Sequence, residues 1–485
     1  MTTTATMTTD RLIPHEWQEA DIERLLFWDC TGLAAIETGG GKSLLAVETV
    51  LRSGHHTRGA VLIIAPKSTF KKTWELTFQR QGGITPRRIN STRAGKEAEL
   101  DLRFNTPGVY LINHELFARR DWDGLQIELC VVDECHKMSN YALVTKNKRT
   151  SGAWRLVHFK AKRRLAMSAT PYRNKFENMW TILRWLYPED NKAGGLADRS
   201  FWRWADDNCV VEQDYFAGKV VRGEITPGRL VSRIPCYIYH AKRNACCKWH
   251  PNGFMDTDEP EQIVRTVELT PAMKKAYSQL ERDLVTWLGD NPLVVELPIV
   301  MRTRLRQMSL GSLTVNDDDS VTYAVDCESP KYDDLKLVLE DEIPDEPALV
   351  VTHSREFALV LAEKLRRDGY TVAEWNGSLS QKQRDAEGER FANGDARVLV
   401  ATIASLGTGT DFLQHVTSTI IWMSRTDDPT ENKQTEGRLD RMGALGRVTS
   451  IEIQAEGTYD EGVLSKDLRH ALELNGSLAQ TATGH

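Results

Sequence analysis

The chain has 485 residues, 41% apolar and 27% charged, the balance of a folded globular protein. That length exceeds one ordinary core and predicts roughly two to four domains. A formal net charge of −6 gives no global signature of nucleic-acid binding. With no apolar run of about 18 residues, no membrane span is expected.

Residues 1–10, "MTTTATMTTD", lack the basic and apolar regions of a secretory signal and are expected to be disordered. Short β-branched runs then alternate with helical patterns. They are "LAAIE" (33–37), "AVLIIAP" (60–66), "GVYLIN" (108–113), "LCVVDE" (129–134) and "RLAMSAT" (164–170). A second series is "ALVVTHS" (348–354), "RVLVAT" (397–402), "STIIWMS" (418–424) and "VTSIEIQ" (448–454). Runs apolar on both faces indicate parallel strands covered by helices. Two such series predict an α/β protein of two lobes, over 11–190 and 331–465. Between them, 191–330 reads as a mainly helical insertion and linker. The spacing in "TPAMKKAYSQLERDLVTWL" predicts a helix over 270–288, starting at a Thr270-Pro271 cap. The last residues, 466–485, are polar and expected to be loose.

In "ETGGGKS", Thr38, Gly39, Gly40, Gly41, Lys42 and Ser43 follow a strand and precede a helix. Glycines permit a tight turn with inward N–H groups, a lysine reaches the β/γ-phosphates, and a hydroxyl ligates Mg²⁺. The strict pattern wants glycine where Ile36 stands. Downstream, "LCVVDECHK" ends a strand in Asp133 and Glu134. The first suits the Mg²⁺ shell, together with Ser43, and the second suits activation of the attacking water. Acidic strand ends are common, but this pair follows a phosphate loop in the same lobe, which points to ATP hydrolysis with ATP and Mg²⁺ as ligands. His136 completes a D-E-x-H sequence.

The ordered motifs resemble superfamily-two helicases and translocases, specifically the Swi/Snf-type branch, with two RecA-like lobes in tandem. "LIPHEWQEADIERLL" (12–26) looks like that branch's opening motif and implies that Gln18 reads adenine. "VLIIAPKSTFKKTW" (61–74), "LAMSATPYRNKFENMWTILRWLYP" (165–188) and "VLVATIASLGTGTDF" (398–412) follow in the family's order. "ENKQTEGRLDRMG" (431–443) matches its last motif at Gln434, Gly437, Arg438 and Arg441. The resemblance implies coupling through Ser168, Ala169 and Thr170, and nucleotide contacts from Gly409 and Asp411. It also implies DNA backbone contacts from Pro66, Lys67, Ser68, Thr352, His353, Ser354 and Thr402. Such contacts position a protein without reading sequence. Arg438 and Arg441, three apart, are expected on one face of a helix, where they would stabilise charge in the phosphoryl-transfer transition state.

"DECH" and "MSATP" depart from the branch's usual forms, and the chain is short for a chromatin remodeller. The expectation is a compact bacterial or phage-type ATP-driven motor, cytoplasmic in the cell or infected host. It would move on duplex DNA, with a further protein partner possible and no membrane association. The alternatives are a strand-separating DNA or RNA helicase, or a non-enzymatic DNA clamp or motor subunit that needs a partner. From Lys137 to Arg164 there are nine Lys or Arg and no Asp or Glu, a stretch that could line a DNA groove or be a solvated face. The eight cysteines, scattered without a signal peptide, suggest free thiols. "CYIYHAKRNACCKWH" (236–250) gathers Cys236, His240, Cys246, Cys247 and His250, but the spacing fits no standard zinc knuckle, so no zinc is expected.

Overall fold

The computed structural model describes residues 11–462 except 173–174, 215–217, 245, 247, 284, 289–290, 295–297, 317–320, 407–409 and 411. The chain forms two compact units that divide between Phe254 and Met255. Each is an α/β layer structure built on a parallel sheet.

The first unit opens with helix α1 (Glu16–Phe27) and strand β1 (Gly32–Ile36), followed by helix α2 (Lys42–Ser53). Its other strands are β2 (Ala60–Ile64), β3 (Arg87–Arg88), β4 (Gly108–Ile112), β5 (Gln126–Val132) and β6 (Lys160–Ser168). A two-stranded hairpin follows, β7 (Cys209–Asp214) and β8 (Gly218–Glu224), then β9 (Tyr237–His240). The sheet order is β3-β4-β2-β5-β6-β1-β9, every pair parallel. β1 and β2 are buried along their whole length, as apolar runs covered on both faces must be.

The expected end of the first lobe at residue 190 differs from this division. Tyr237–His240 is a buried strand laid beside β1, with Ile36 opposite His240, so the first unit continues to Phe254. Four residues are too short a run to show strand periodicity in sequence.

The second unit begins with β10 (Glu261–Val267). Two short antiparallel pairs follow, β11 (Val285–Leu288) with β12 (Asn291–Val294) and β13 (Thr314–Val315) with β14 (Val321–Thr322). Its sheet is completed by β15 (Ala348–Thr352), β16 (Val372–Trp375), β17 (Val398–Thr402), β18 (Thr419–Trp422) and β19 (Thr449–Ala455). The order is β10-β19-β18-β15-β17-β16, again all parallel. The segment 191–330 is therefore not helical throughout, and it supplies a strand to each sheet. The helix expected over 270–288 runs from Pro271 to Asp283, with Thr270 Oγ1 accepting from Met273 N–H, and the chain then turns into β11. Val285, Thr286 and Trp287 in succession favour extended backbone.

Candidate active site

In a parallel sheet the C-terminal strand ends converge on one edge, where ligands bind. In the first unit the neighbours β2, β5, β6 and β1 bring four predicted motifs to that edge: Pro66–Ser68, Asp133–Glu134, Ser168–Thr170 and the phosphate loop.

The phosphate loop turns because Gly39 (φ 90°) and Gly41 (φ 76°) adopt left-handed backbone that a side chain resists. Ile36, in the place of the strict pattern's glycine, is the fully buried last residue of β1. Its Cγ2 would lie 2.5 Å from a Cβ at position 40, so its side chain fills the space beneath Gly40. Lys42 opens α2 and its Nζ donates to Ile36 O at 2.8 Å, across the loop. Gln18, buried on α1, braces the same turn. Its Nε2 donates to Gly40 O (3.4 Å) and its Oε1 accepts from His15 N–H (2.9 Å). A Cβ at Gly41 would meet Gln18 Nε2 at 2.3 Å. Left-handed glycines, a lysine and a helix N-terminus together have the make-up of an anion cradle.

Asp133 is buried where β5 ends, and its N–H donates to Ile64 O. Burial, then the charge of Glu134, pushes its carboxyl above the usual range, while Lys42 opposes the shift. A carboxyl that is costly to ionise alone suits a divalent cation, which restores the charged form. Asp133 and Ser43 thus fit a Mg²⁺ shell chemically.

Glu134 sits at φ 49°, in left-handed backbone, with its side chain 19% exposed. Its Oε2 accepts from Ser168 Oγ at 3.4 Å and lies 3.3 Å from His136 Nδ1. His136 Nδ1 and Ser168 Oγ are 2.9 Å apart, and Ser168 Oγ accepts from Thr170 N–H at 3.0 Å. A polar chain therefore runs from Glu134 to the expected coupling residues. Thr170 Oγ1 is buried with no hydrogen-bond partner among the described residues, and Ala169 lies half-buried between the two. Sequence reasoning gave His136 no role and did not single out His114. The His114 Nε2–H donates to Asp133 O at 2.8 Å, and burial lowers its pKa to about 4, so the ring is neutral. Its position directly after the strand run "GVYLIN" was the available signal.

The predicted contacts on β2 are well placed for solvent: Lys67 is exposed and Ser68 half-buried, while Pro66 is buried and its carbonyl accepts from Thr69. In the second unit the corresponding edge is self-bonded. Ser424 Oγ lies 3.0 Å from Thr352 Oγ1 and 2.6 Å from His353 Nδ1, and accepts from His353 N–H. Ser354 Oγ caps the following helix through Phe357 N–H, and Thr402 Oγ1 donates to Ser405 Oγ. Burial lowers the His353 pKa to about 3, with Arg306 and Lys331 adding to the effect.

Arg438 and Arg441 do not share a helix face. The helix Pro429–Glu436 stops before Gly437, and both arginines follow in tight turns. Arg438 N–H bonds Thr435 O and Leu439 N–H bonds Glu436 O, the three-residue spacing of a closing turn. Arg441 Nε donates to Gly437 O at 2.9 Å. Gly437 weakens helix propagation at this point. Gln434 lies on the helix with its Nε2 buried and without a partner among the described residues. Gly409 and Asp411 lie outside the described residues.

The basic run 137–164 is divided. Arg155 pairs with Asp121, and Lys162 and Arg163 with Glu128, whereas Lys146, Lys148 and Arg149 are exposed. No helix among the described residues is long and apolar enough to cross a membrane.

Residues 23–217 match the SNF2-related domain, and residues 330–443 match the helicase conserved C-terminal domain. Protein p41 of Acyrthosiphon pisum secondary endosymbiont phage 1 is 21% identical over 464 residues, 92% of this chain and 92% of that protein. The helicase SWR1 of Gibberella zeae is 26% identical over 187 residues, 36% of this chain but 10% of that protein, so the match spans about a tenth of the fungal relative. The helicase domain of Pyrococcus furiosus Hef shares the fold, with a TM-score of 0.51, 16% identity and coverage of 93% of this chain and 98% of that one. An SNF2-related domain followed by a helicase C-terminal domain is the tandem that the motif order implied: the chain belongs to the Swi/Snf type of superfamily-two helicases and translocases.

Proposed function

We propose that this chain is an ATP hydrolase and a motor on duplex DNA, binding the backbone without reading sequence. The observation that carries the reading is the polar chain Glu134–His136–Ser168–Thr170, on the strand edge that also presents Lys67. It offers a route by which a change at the phosphates is felt at a backbone-binding edge. In this reading the phosphate loop and Lys42 hold the triphosphate, and Gln18 braces the loop and meets adenine. Mg²⁺, held by Ser43 and Asp133, would neutralise charge on the phosphate oxygens. Glu134 orients the attacking water and takes its proton. Arg438 and Arg441 supply cations to the developing charge, and Gln434 a donor, so that hydrolysis answers to the state of the second unit.

Lys67, with Pro66 and Ser68, and the exposed Lys146, Lys148 and Arg149 provide backbone contacts in the first unit. Release of the Ser424 hub would free donors on Thr352 and His353, with Ser354 and Thr402 beside them. The tandem domain match supports the motor class. The full-length similarity to a phage protein supports a compact bacterial or phage form acting in the cytoplasm.

The test is the steady-state ATPase rate without nucleic acid and with single-stranded DNA, duplex DNA or RNA. Stimulation chiefly by duplex is expected, declining steeply with salt. Preferential stimulation by single strands would replace this reading with a strand-separating helicase, and no stimulation by any of them would favour a clamp or a partner-dependent subunit.

A further inference from the structure

We infer that His240, Cys246 and His250 form a zinc site beside the phosphate loop. One ligand atom from each lies within 4.8 Å of the others. His240 and Cys246 are buried and His250 half-buried. A tetrahedral zinc with bonds of about 2.0–2.3 Å to nitrogen and sulfur has ligand edges of roughly 3.3–3.6 Å. Cys246 Sγ is 3.8 Å from His240 Nδ1, close to such an edge.

The other nitrogen of His240 strengthens the case. Its Nε2 lies 2.6 Å from Asp21 Oδ2, within the protein interior. A carboxylate accepting Nε2–H fixes the tautomer that turns the Nδ1 lone pair toward the thiol. A metal-ligating histidine almost always donates its second N–H in this way, which orients the ring and raises its basicity. Two imidazoles and a thiolate select a borderline-soft ion such as zinc over the hard Mg²⁺ of the nucleotide site. The set supplies three ligands and leaves the fourth position to water or another donor. Cys247, next in sequence, lies outside the described residues.

The position gives the ion a task. His240 ends β9, opposite Ile36, and its carbonyl accepts from Glu37 N–H at the start of the phosphate loop. Lys242 N–H bonds Glu37 Oε2, and Phe254 lies under Gly40. Asp21 is on α1, three residues from Gln18. Trp17 packs on both histidines, its ring 4.5 Å from His240 and 5.0 Å from His250. Zinc would staple Cys246 and His250 to the strand and helix beside the phosphate loop.

The inference is independent of the motor reading, since metal content is read without turnover. Full-length protein prepared with zinc and then dialysed should hold about one zinc per chain by elemental analysis. Cobalt(II) added to the metal-free protein should give tetrahedral visible bands with thiolate charge transfer, and zinc should abolish them. Cys246→Ser should remove the charge-transfer band, and Asp21→Asn should weaken cobalt binding about 10-fold or more. Metal-free wild type that takes up neither ion, or charge transfer undiminished in Cys246→Ser, would overturn the site. The wild-type titration decides the matter even if a variant fails to fold.

Discussion

Glu134 occupies left-handed backbone, which costs a non-glycine residue roughly 1–2 kcal/mol. Glycine would relieve that cost, so the backbone gives no reason for a carboxyl here, in keeping with the proposed role of Glu134. Glu134→Gln keeps the shape and loses the base. It should reduce turnover to background while nucleotide binding, read by fluorescent-analogue titration, stays within a few-fold of wild type. Undiminished hydrolysis would remove Glu134 from that role. His114 allows a prediction on stability. Its folded pKa of about 4 lies below the ordinary 6.5, so its contribution is intact above pH ~6.5 and is lost as pH falls toward 4. At pH ~5 the loss should be about 2 kcal/mol. His114→Gln can keep the bond to Asp133 O without titrating. Its melting temperature should fall less than that of wild type between neutral pH and pH ~5, and parallel falls would show that other groups dominate.

At the scale of the element, β1 explains the departure from the strict phosphate-loop pattern. Ile36 is a core residue first, and its side chain supports Gly40 from below. Ile36→Ala should therefore cost about 2–5 kcal/mol, seen as a lowered melting temperature, and should not improve nucleotide affinity. Gain of affinity at unchanged stability would mean that the isoleucine obstructs the loop. The same packing logic decides what was legible in sequence. β1, β2, β5, β15 and β17 were readable because burial on both faces demands unbroken apolar runs. β10 was not, since its residues alternate between exposed and half-buried positions at a sheet edge, as "EQIVRTV". The arginines of the last motif were identified by residue type, but Gly437 ends their helix early. His240, Cys246 and His250 have no standard linear spacing. They meet because a strand end and an irregular segment fold against α1, a tertiary fact that linear spacing does not carry.

At the scale of the whole molecule, the proposed catalytic groups are divided between two units, each with its own sheet and core. The first holds the phosphate loop and the acids, and the second holds Gln434, Arg438 and Arg441. In the proposed mechanism one unit binds the nucleotide and the other supplies the cations that favour its transition state. Such a division would tie hydrolysis to the conformation of the chain, which a motor requires and a simple nucleotide sensor does not. Arg441→Ala in the full-length protein tests it. Arg441 Nε donates to Gly437 O, and circular dichroism checks that the variant keeps its fold. If Arg441 acts on the transition state, DNA-stimulated kcat should fall about 10³-fold or more, the usual weight of an arginine finger, with nucleotide affinity little changed. A fall below about 10-fold would assign that role elsewhere in the second unit. Equal loss of affinity and rate would mean that the residue binds the ground state, and hydrolysis would then lose its proposed dependence on the second unit.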